Sequence, residues 1–125
     1  MTLLAFDYGI KRVGVAAGSR FTGAAQALRS ITVDGEARFA AIEKLIREWQ
    51  PEALVIGVPF HPDGAEHEIT LRARKFGRQL KGRFRLPIHE VDERYTSVAA
   101  EAAGACDVDS AAAALILEQF FRETS

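Results

Sequence analysis

Residues 53–58, Ala-Leu-Val-Ile-Gly-Val, form a short run without a polar side chain, bracketed by Pro51 and Pro59. Side chains alternate between the two faces of a strand, so a strand apolar at every position is covered on both. That requires a sheet with helices on either side, and the rest of the chain supplies the parts. Thr2–Phe6 reads as a buried strand ending at Asp7. Arg12–Ala17 reads as a second strand, with Tyr8–Lys11 as a tight turn between them, and Ala27–Val33 as a weaker third. Asp34 is placed to cap a helix over 36–50, with Phe39, Ile42, Leu45, Ile46 and Trp49 as its apolar stripe and Pro51 as its stop. Residues 59–64 are turn-rich. A second long helix spans Glu68–Gly82, with Ile69, Ala73, Phe76 and Leu80 facing inward. Pro87–Val91 is a short strand running into Asp92-Glu93-Arg94. Thr96 or Ser97 can cap a small alanine-rich helix reaching Ala103, and Asp107 or Asp109 opens a last helix ending near Arg122. The first three strands have short connections and suit antiparallel pairing; the last two follow helical crossovers and suit parallel pairing. The expectation is an α/β fold, a mixed five-stranded sheet flanked by helices, with residues 1–125 as one domain.

Composition excludes several classes. At 48% hydrophobic and 26% charged residues, the chain has a globular balance rather than a disordered one. Its longest apolar run, Ala111–Leu117, falls far short of the ~20 residues needed to span a bilayer. No charged region followed by a long apolar stretch opens the chain, so no secretory signal is expected. Cys106 is the single cysteine, which excludes an internal disulfide and a zinc site of paired cysteines. The expected location is the reducing cytoplasm.

A formal net charge of -1 conceals an uneven distribution. Arg72, Arg74, Lys75, Arg78, Lys81, Arg83 and Arg85 occupy one short segment that contains no acid. Arg74, Arg78, Lys81 and Arg85 lie about 140° around the helix from its apolar stripe, at roughly 100° per residue. A basic stripe on an otherwise acidic body is either a solvated helix face or a footprint for a nucleic-acid backbone.

Acidic residues stand at the strand and helix ends. Asp7 ends an apolar strand, where an unpaired carboxylate is poorly placed for stability and where open sheets carry their functional groups. Asp92 and Glu93 end the last strand; alternation allows only one of them to share the face used by Asp7, and the sequence alone leaves both open. Asp109 shares a helical face with Ala112, Ala113, Ile116 and Phe120, so it is aimed at the edge of the sheet rather than at water. Carboxylates from three separated elements outline a site for Mg²⁺, a hard cation that prefers oxygen ligands and keeps several waters. Two such ions about 4 Å apart can activate a water and stabilise the leaving oxygen of a phosphodiester. His61, His67 and His89 show no metal-ligand spacing, and Cys106 reads as a small apolar residue.

The run Asp7-Tyr8-Gly9-Ile10-Lys11-Arg12-Val13-Gly14-Val15-Ala16 resembles the opening motif of the YqgF (RuvX) family of pre-16S rRNA nucleases and Holliday-junction-resolvase-like proteins. Val55-Ile56-Gly57-Val58-Pro59 with Asp63-Gly64 is similar to its second motif, Val91-Asp92-Glu93-Arg94-Tyr95-Thr96-Ser97 to its third, and Val108-Asp109-Ser110-Ala111-Ala112-Ala113 to its last. The four motifs follow the family's order and cover the chain from end to end. The resemblance implies an RNase H-like fold and a nuclease dependent on Mg²⁺ or Mn²⁺, with Asp7, Glu93 and Asp109 as catalytic metal ligands; it selects Glu93 over Asp92. It implies maturation of the 5′ end of the small-subunit rRNA precursor, with Arg12 and Arg94 as phosphate contacts. Arg74, Arg78 and Lys81 are the expected backbone contacts on the basic helix. Two stretches depart from the family pattern. Gly104-Ala105-Cys106-Asp107 stands where a longer glycine- and lysine-bearing loop is usual, and Phe60-His61-Pro62 where an asparagine-containing stretch is common.

Three alternatives follow from the same residues. The shortened loop fits a non-catalytic RNA-binding ribosome-assembly factor. The family also implies a resolvase of Holliday junctions or other branched DNA. Asp7-x-Gly followed by Gly14 resembles the phosphate loop of actin-like ATPases, but those clamp ATP between two such domains and this length suits one. A monomer or a weak homodimer is expected.

Overall fold

The computed structural model describes residues 2–9, 11–58, 68–92 and 108–124. Five strands form one sheet: β1 (Thr2–Asp7), β2 (Val13–Ser19), β3 (Ala24–Ile31), β4 (Ala53–Val58) and β5 (Ile88–Asp92). Helices α1 (Gly35–Trp49), α2 (Glu68–Phe84) and α3 (Val108–Thr124) complete the described elements. The strand order is β3-β2-β1-β4-β5. β1, β2 and β3 pair antiparallel, whereas β1–β4 and β4–β5 pair parallel, as the connection lengths require.

The alternation of side chains divides the core into two layers. Leu4, Phe6, Val13, Val15, Leu54, Ile56 and Val58 pack with Ile42 and Leu45 of α1 and Phe76 and Leu80 of α2. On the other face, Leu3, Ala5, Val55 and Val91 pack with Ile116, Leu117, Phe120 and Phe121 of α3. β4 is buried along its whole length, the outcome its composition demands. Each fully buried aliphatic or aromatic side chain contributes about 1.5–3 kcal/mol, so both layers are needed to hold the sheet.

The helix ends explain where the chain turns. Gln50 adopts a left-handed conformation and its N–H donates to the Ile46 carbonyl at 2.8 Å, closing α1 just before Pro51. Arg85 does the same for α2, donating to the Lys81 carbonyl at 2.9 Å before Pro87. Asp34 occupies the N-cap position of α1, but its side chain makes no capping hydrogen bond, contrary to expectation. β3 begins three residues earlier than its alanine-rich opening indicates. The β2–β3 turn is closed by Gly23 N–H donating to the Ser19 carbonyl, so residues 24–26 are already opposite β2. Alanine and glutamine have little strand preference of their own, and pairing overrides it.

Glu36 and Arg83 tie α1 to α2 through two hydrogen bonds, 2.6 and 3.1 Å, and the Arg83 guanidinium lies 4.0 Å from the Phe39 ring centroid. The hydrogen bond from Arg83, reinforced by its charge, holds the Glu36 carboxyl below the usual carboxylate range. A lowered folded-state value means that the stabilisation is present above the unfolded carboxylate's titration and lost as pH falls through the folded value. Glu36→Gln is therefore expected to lower the melting temperature slightly at neutral pH, with the gap to wild type closing in acid. A gap that stays constant with pH, measured by thermal melts across the acid range, would exclude this ion pair as its source.

Candidate active site

The register of the sheet sets the end of β1 beside the first turn of α3. Asp7, the last residue of β1, pairs with Gly14 of β2 on one side and Gly57 of β4 on the other. Leu3 and Ala5 face α3, so Asp7 shares that face by alternation. Its two neighbours in the row have no side chains. Gly14 explains why: a Cβ there would lie 2.0 Å from the carbonyl oxygen of Asp109 and 2.7 Å from the amide nitrogen of Ser110. The first turn of α3 is thus seated directly on β2 at the position opposite Asp7. Paired Cα atoms in antiparallel strands are about 4.5–5.5 Å apart, so the Asp109 backbone lies beside the end of β1. A Cβ on Gly18, further along β2, would press on the side chains of Leu117 and Phe121 and on the Ala24 carbonyl oxygen. The small residues Gly14, Ala16 and Gly18 form the track on which the helix lies.

The backbone of Asp109 therefore lies at the sheet end, and its neighbours Ala112 and Ala113 are buried. Its Oδ2 is 2.5 Å from Nε of Arg12, with side chains 25% and 63% exposed respectively. At that exposure the pair contributes about 0–1 kcal/mol to stability. The turn leading to Arg12 is tight, because a Cβ on Gly9 would lie 2.6 Å from the Arg12 carbonyl oxygen.

Asp92 ends β5 opposite Val58, a residue of the α1–α2 layer, so its side chain belongs to the face away from Asp7. Its carbonyl accepts a hydrogen bond from Gln119 of α3 at 3.1 Å. Among the described residues no group of three His, Cys, Asp or Glu side chains could hold a metal ion. Glu93 and Arg94 lie outside the described residues, as do His61, His67, the 96–103 helix, Cys106 and Asp107. His89, within β5, packs its ring 4.9 Å from that of Phe120 and is accounted for by the core.

The basic segment divides into engaged and open cations. Arg72 donates to Glu68 at 2.8 Å, and Glu68 raises its pKa, mainly through the hydrogen bond and then through charge. Arg83 is held by Glu36, and Arg74, half-buried rather than pointing away from the core, reaches over the sheet edge to Glu90 at 3.5 Å. Among the described residues, Lys75, Arg78, Lys81 and Arg85 form no ion pair and are exposed. Arg78 and Lys81 line a shallow cleft of about 190 Å³ with Arg74, Gly77, Ile88 and Glu90. A larger cleft of about 380 Å³ lies between β3 and α1, on the opposite face of the sheet from Asp7.

Sequence reasoning did not identify Gly14 as the seat of α3 or Gly57 as the open neighbour of Asp7. The available signal was a glycine inside a strand, which marks a close backbone approach. It also passed over Arg38, which is buried on α1, donates from Nε to the Val33 carbonyl at 3.1 Å and sits 6.0 Å from the Tyr8 ring centroid.

The comparisons with known proteins agree with this architecture. A protein of Albidiferax ferrireducens bearing the name "Putative pre-16S rRNA nuclease" is 59% identical over 121 residues, covering 97% of this chain and 78% of its own. One of the same name from Polaromonas is 58% identical over 121 residues, covering 97% of this chain and 88% of its own. Thermus thermophilus RuvC, solved with a Holliday junction substrate, superposes with a TM-score of 0.65 over 98% of this chain and 95% of its own. At 16% identity that likeness shows a shared RNase H-like fold. The sequence profile of the family described as "RuvX: Holliday junction resolvase" matches residues 1–123. With the four motifs in order and that fold beneath them, this chain belongs to the YqgF/RuvX family.

Proposed function

We propose that this protein is a divalent-metal-dependent nuclease that hydrolyses phosphodiester bonds and matures the 5′ end of pre-16S rRNA in the cytoplasm. The observation that carries this reading is the seating of Asp109 on Gly14, directly across from Asp7. It sets the first turn of the last helix beside the end of the first strand, and the curated relatives bear a nuclease name. Carboxylate oxygens are the donors that Mg²⁺ and Mn²⁺ prefer, and waters complete such a coordination shell. Asp7, Glu93 and Asp109 would hold the ion. Glu93 is the third ligand of this reading because the neighbouring carboxylate, Asp92, belongs to the other face of the sheet. The bound ion supplies Lewis-acid polarisation of the phosphodiester and charge for the leaving oxygen. Arg94 and Arg12 contact the phosphate near the site. Arg78 and Lys81 hold the nucleic-acid backbone without reading its sequence, beside Arg74, which Glu90 engages.

The test is cleavage of a transcript carrying the 5′ leader and the start of 16S rRNA by purified protein. Cleavage is expected with Mg²⁺ or Mn²⁺ and not with EDTA. RNA binding without metal-stimulated cleavage would instead identify an assembly factor, and preferential cleavage of a four-way DNA junction would identify a resolvase.

The open cations give a separate expectation. Arg78→Ala and Lys81→Ala should each weaken RNA binding similarly for all sequences and reduce the slope of log affinity against log salt by about 0.7–0.9. Unchanged salt slopes, measured by fluorescence anisotropy, would remove this face from the interface.

A further inference from the structure

The cleft of about 380 Å³ between β3 and α1 carries one cation on each wall, Arg29 from the strand and Lys44 from the helix. Both are exposed, and among the described residues neither forms an ion pair. No acid is among the described residues that line the cleft. Two acids of α1 are engaged elsewhere, Glu36 by Arg83 and Glu43 by Arg47. Glu48 lies on the far side of Arg29, in a separate cleft of about 360 Å³ with Trp49. Between the two cations the surface is apolar, formed by Ile31, Ala40 and Ala41, and Val33 at its open end is 46% exposed. Apolar walls with a few convergent charges suit a ligand that has an anionic group on an apolar body.

The open end of this cleft is held in place. Arg38, buried on α1, donates from Nε to the Val33 carbonyl at 3.1 Å, and Gly35 opens the helix in a left-handed conformation. A buried guanidinium is costly unless it is hydrogen-bonded, and the backbone that satisfies it here is that of the cleft wall. The same guanidinium lies 6.0 Å from the ring of Tyr8, the residue after Asp7. The cleft wall and the end of β1 are thus tied to one side chain.

We propose that this cleft is a subsite for one unpaired nucleotide of a substrate RNA, with its phosphate between Arg29 and Lys44 and its sugar and base on Ile31, Ala40 and Ala41. The inference rests on the reading of RNA as the substrate and not on the metal ligands. Ser30 pairs with Gly14, and Gly14 with Asp7, so the cleft lies at the sheet end where β1 stops, on the opposite face and two strands away. That separation is about 10 Å at the spacing of neighbouring strands, close enough for one strand of RNA to cross the sheet end and engage both. The cleft volume is at the small end of ligand sites, roughly 300–1,000 Å³, which admits a nucleotide and not a folded partner. A base stacked in a duplex cannot enter it, so the subsite selects a single-stranded segment.

The experiment is fluorescence anisotropy of the full chain with a labelled single-stranded oligouridylate and, separately, a blunt RNA duplex, for wild type, Arg29→Gln, Lys44→Gln and Ala40→Leu. All three positions are exposed, so the variants should fold. The glutamines remove one charge each, whereas Ala40→Leu fills the cleft and leaves both cations. Each variant is expected to weaken single-strand binding about three- to tenfold, between the scale of an exposed ion pair and that of a hydrogen bond to a charged group. Duplex binding should stay within about twofold of wild type. In parallel, the backbone amide signals of Thr32, Val33 and Ala41 of wild type should shift during titration with the oligouridylate. Single-strand binding by Ala40→Leu equal to wild type, equal weakening of single-strand and duplex binding by the glutamine variants, or amide signals indifferent to the oligouridylate overturns the subsite. If Arg78→Ala then still weakens RNA binding, the substrate reading stands without it. A wild-type protein that binds neither RNA overturns the substrate reading and the subsite together.

Discussion

Asp7→Asn will lose metal-dependent cleavage by at least about a thousandfold, equivalent to ~4 kcal/mol of transition-state stabilisation. The carboxylate at the end of β1 lies in the row where Gly14 and Gly57 present no side chain. Asparagine keeps the shape and one acceptor oxygen but removes the charge that a divalent cation needs. The replacement is isosteric, so stability should stay within about 1 kcal/mol of wild type. The decisive comparison is cleavage of the precursor transcript by both proteins prepared identically, with circular dichroism to establish equal folding. A folded variant with wild-type cleavage would assign the activity to a contaminant or to other residues.

Gly14→Ala is expected to destabilise the protein by about 3 kcal/mol, the upper end of the usual cost of overpacking. The new methyl group would fall 2.0 Å from the Asp109 carbonyl oxygen and 2.1 Å from its carbon. Those atoms belong to the backbone of the first turn of α3 and cannot rotate aside. The helix must lift from β2, and Leu117 and Phe121, which meet Gly18 further along the same track, must move with it. The melting temperature should fall by about 10–20 °C. Mn²⁺ affinity should fall as well, because Asp109 is displaced from the row containing Asp7. A melting temperature within about 2 °C of wild type would show that α3 does not rest on β2 at this point.

These two residues show how unequally the site was legible. Asp7 stood out locally as a carboxylate closing an apolar strand, and the resemblance of its motif marked it as a site candidate. Gly14 could not, since its role depends on a helix from the far end of the chain. The four strands β1, β2, β4 and β5 were recognisable from apolar runs and their punctuation, and their pairing directions from connection length. β3 was misplaced at its start because alanine and glutamine carry no strand signal of their own. The basic helix was recognised as a unit, but not that Glu68, Glu90 and Glu36 engage three of its arginines and, among the described residues, leave Arg78 and Lys81 without an ion pair.

By itself the sequence determined which segments become strands and helices and which of their faces are apolar, because those properties depend on residues within a few positions of one another. It also placed acidic groups at the ends of those segments. Only the tertiary structure decided that Asp7 and Asp109 become neighbours, that Asp92 turns to the other face, and that Arg12 holds Asp109. Strand register and the seating of a helix on a sheet arise from close packing between distant stretches of chain. A spacing of a few residues along the backbone carries no record of which distant side chain is absent to let another backbone in.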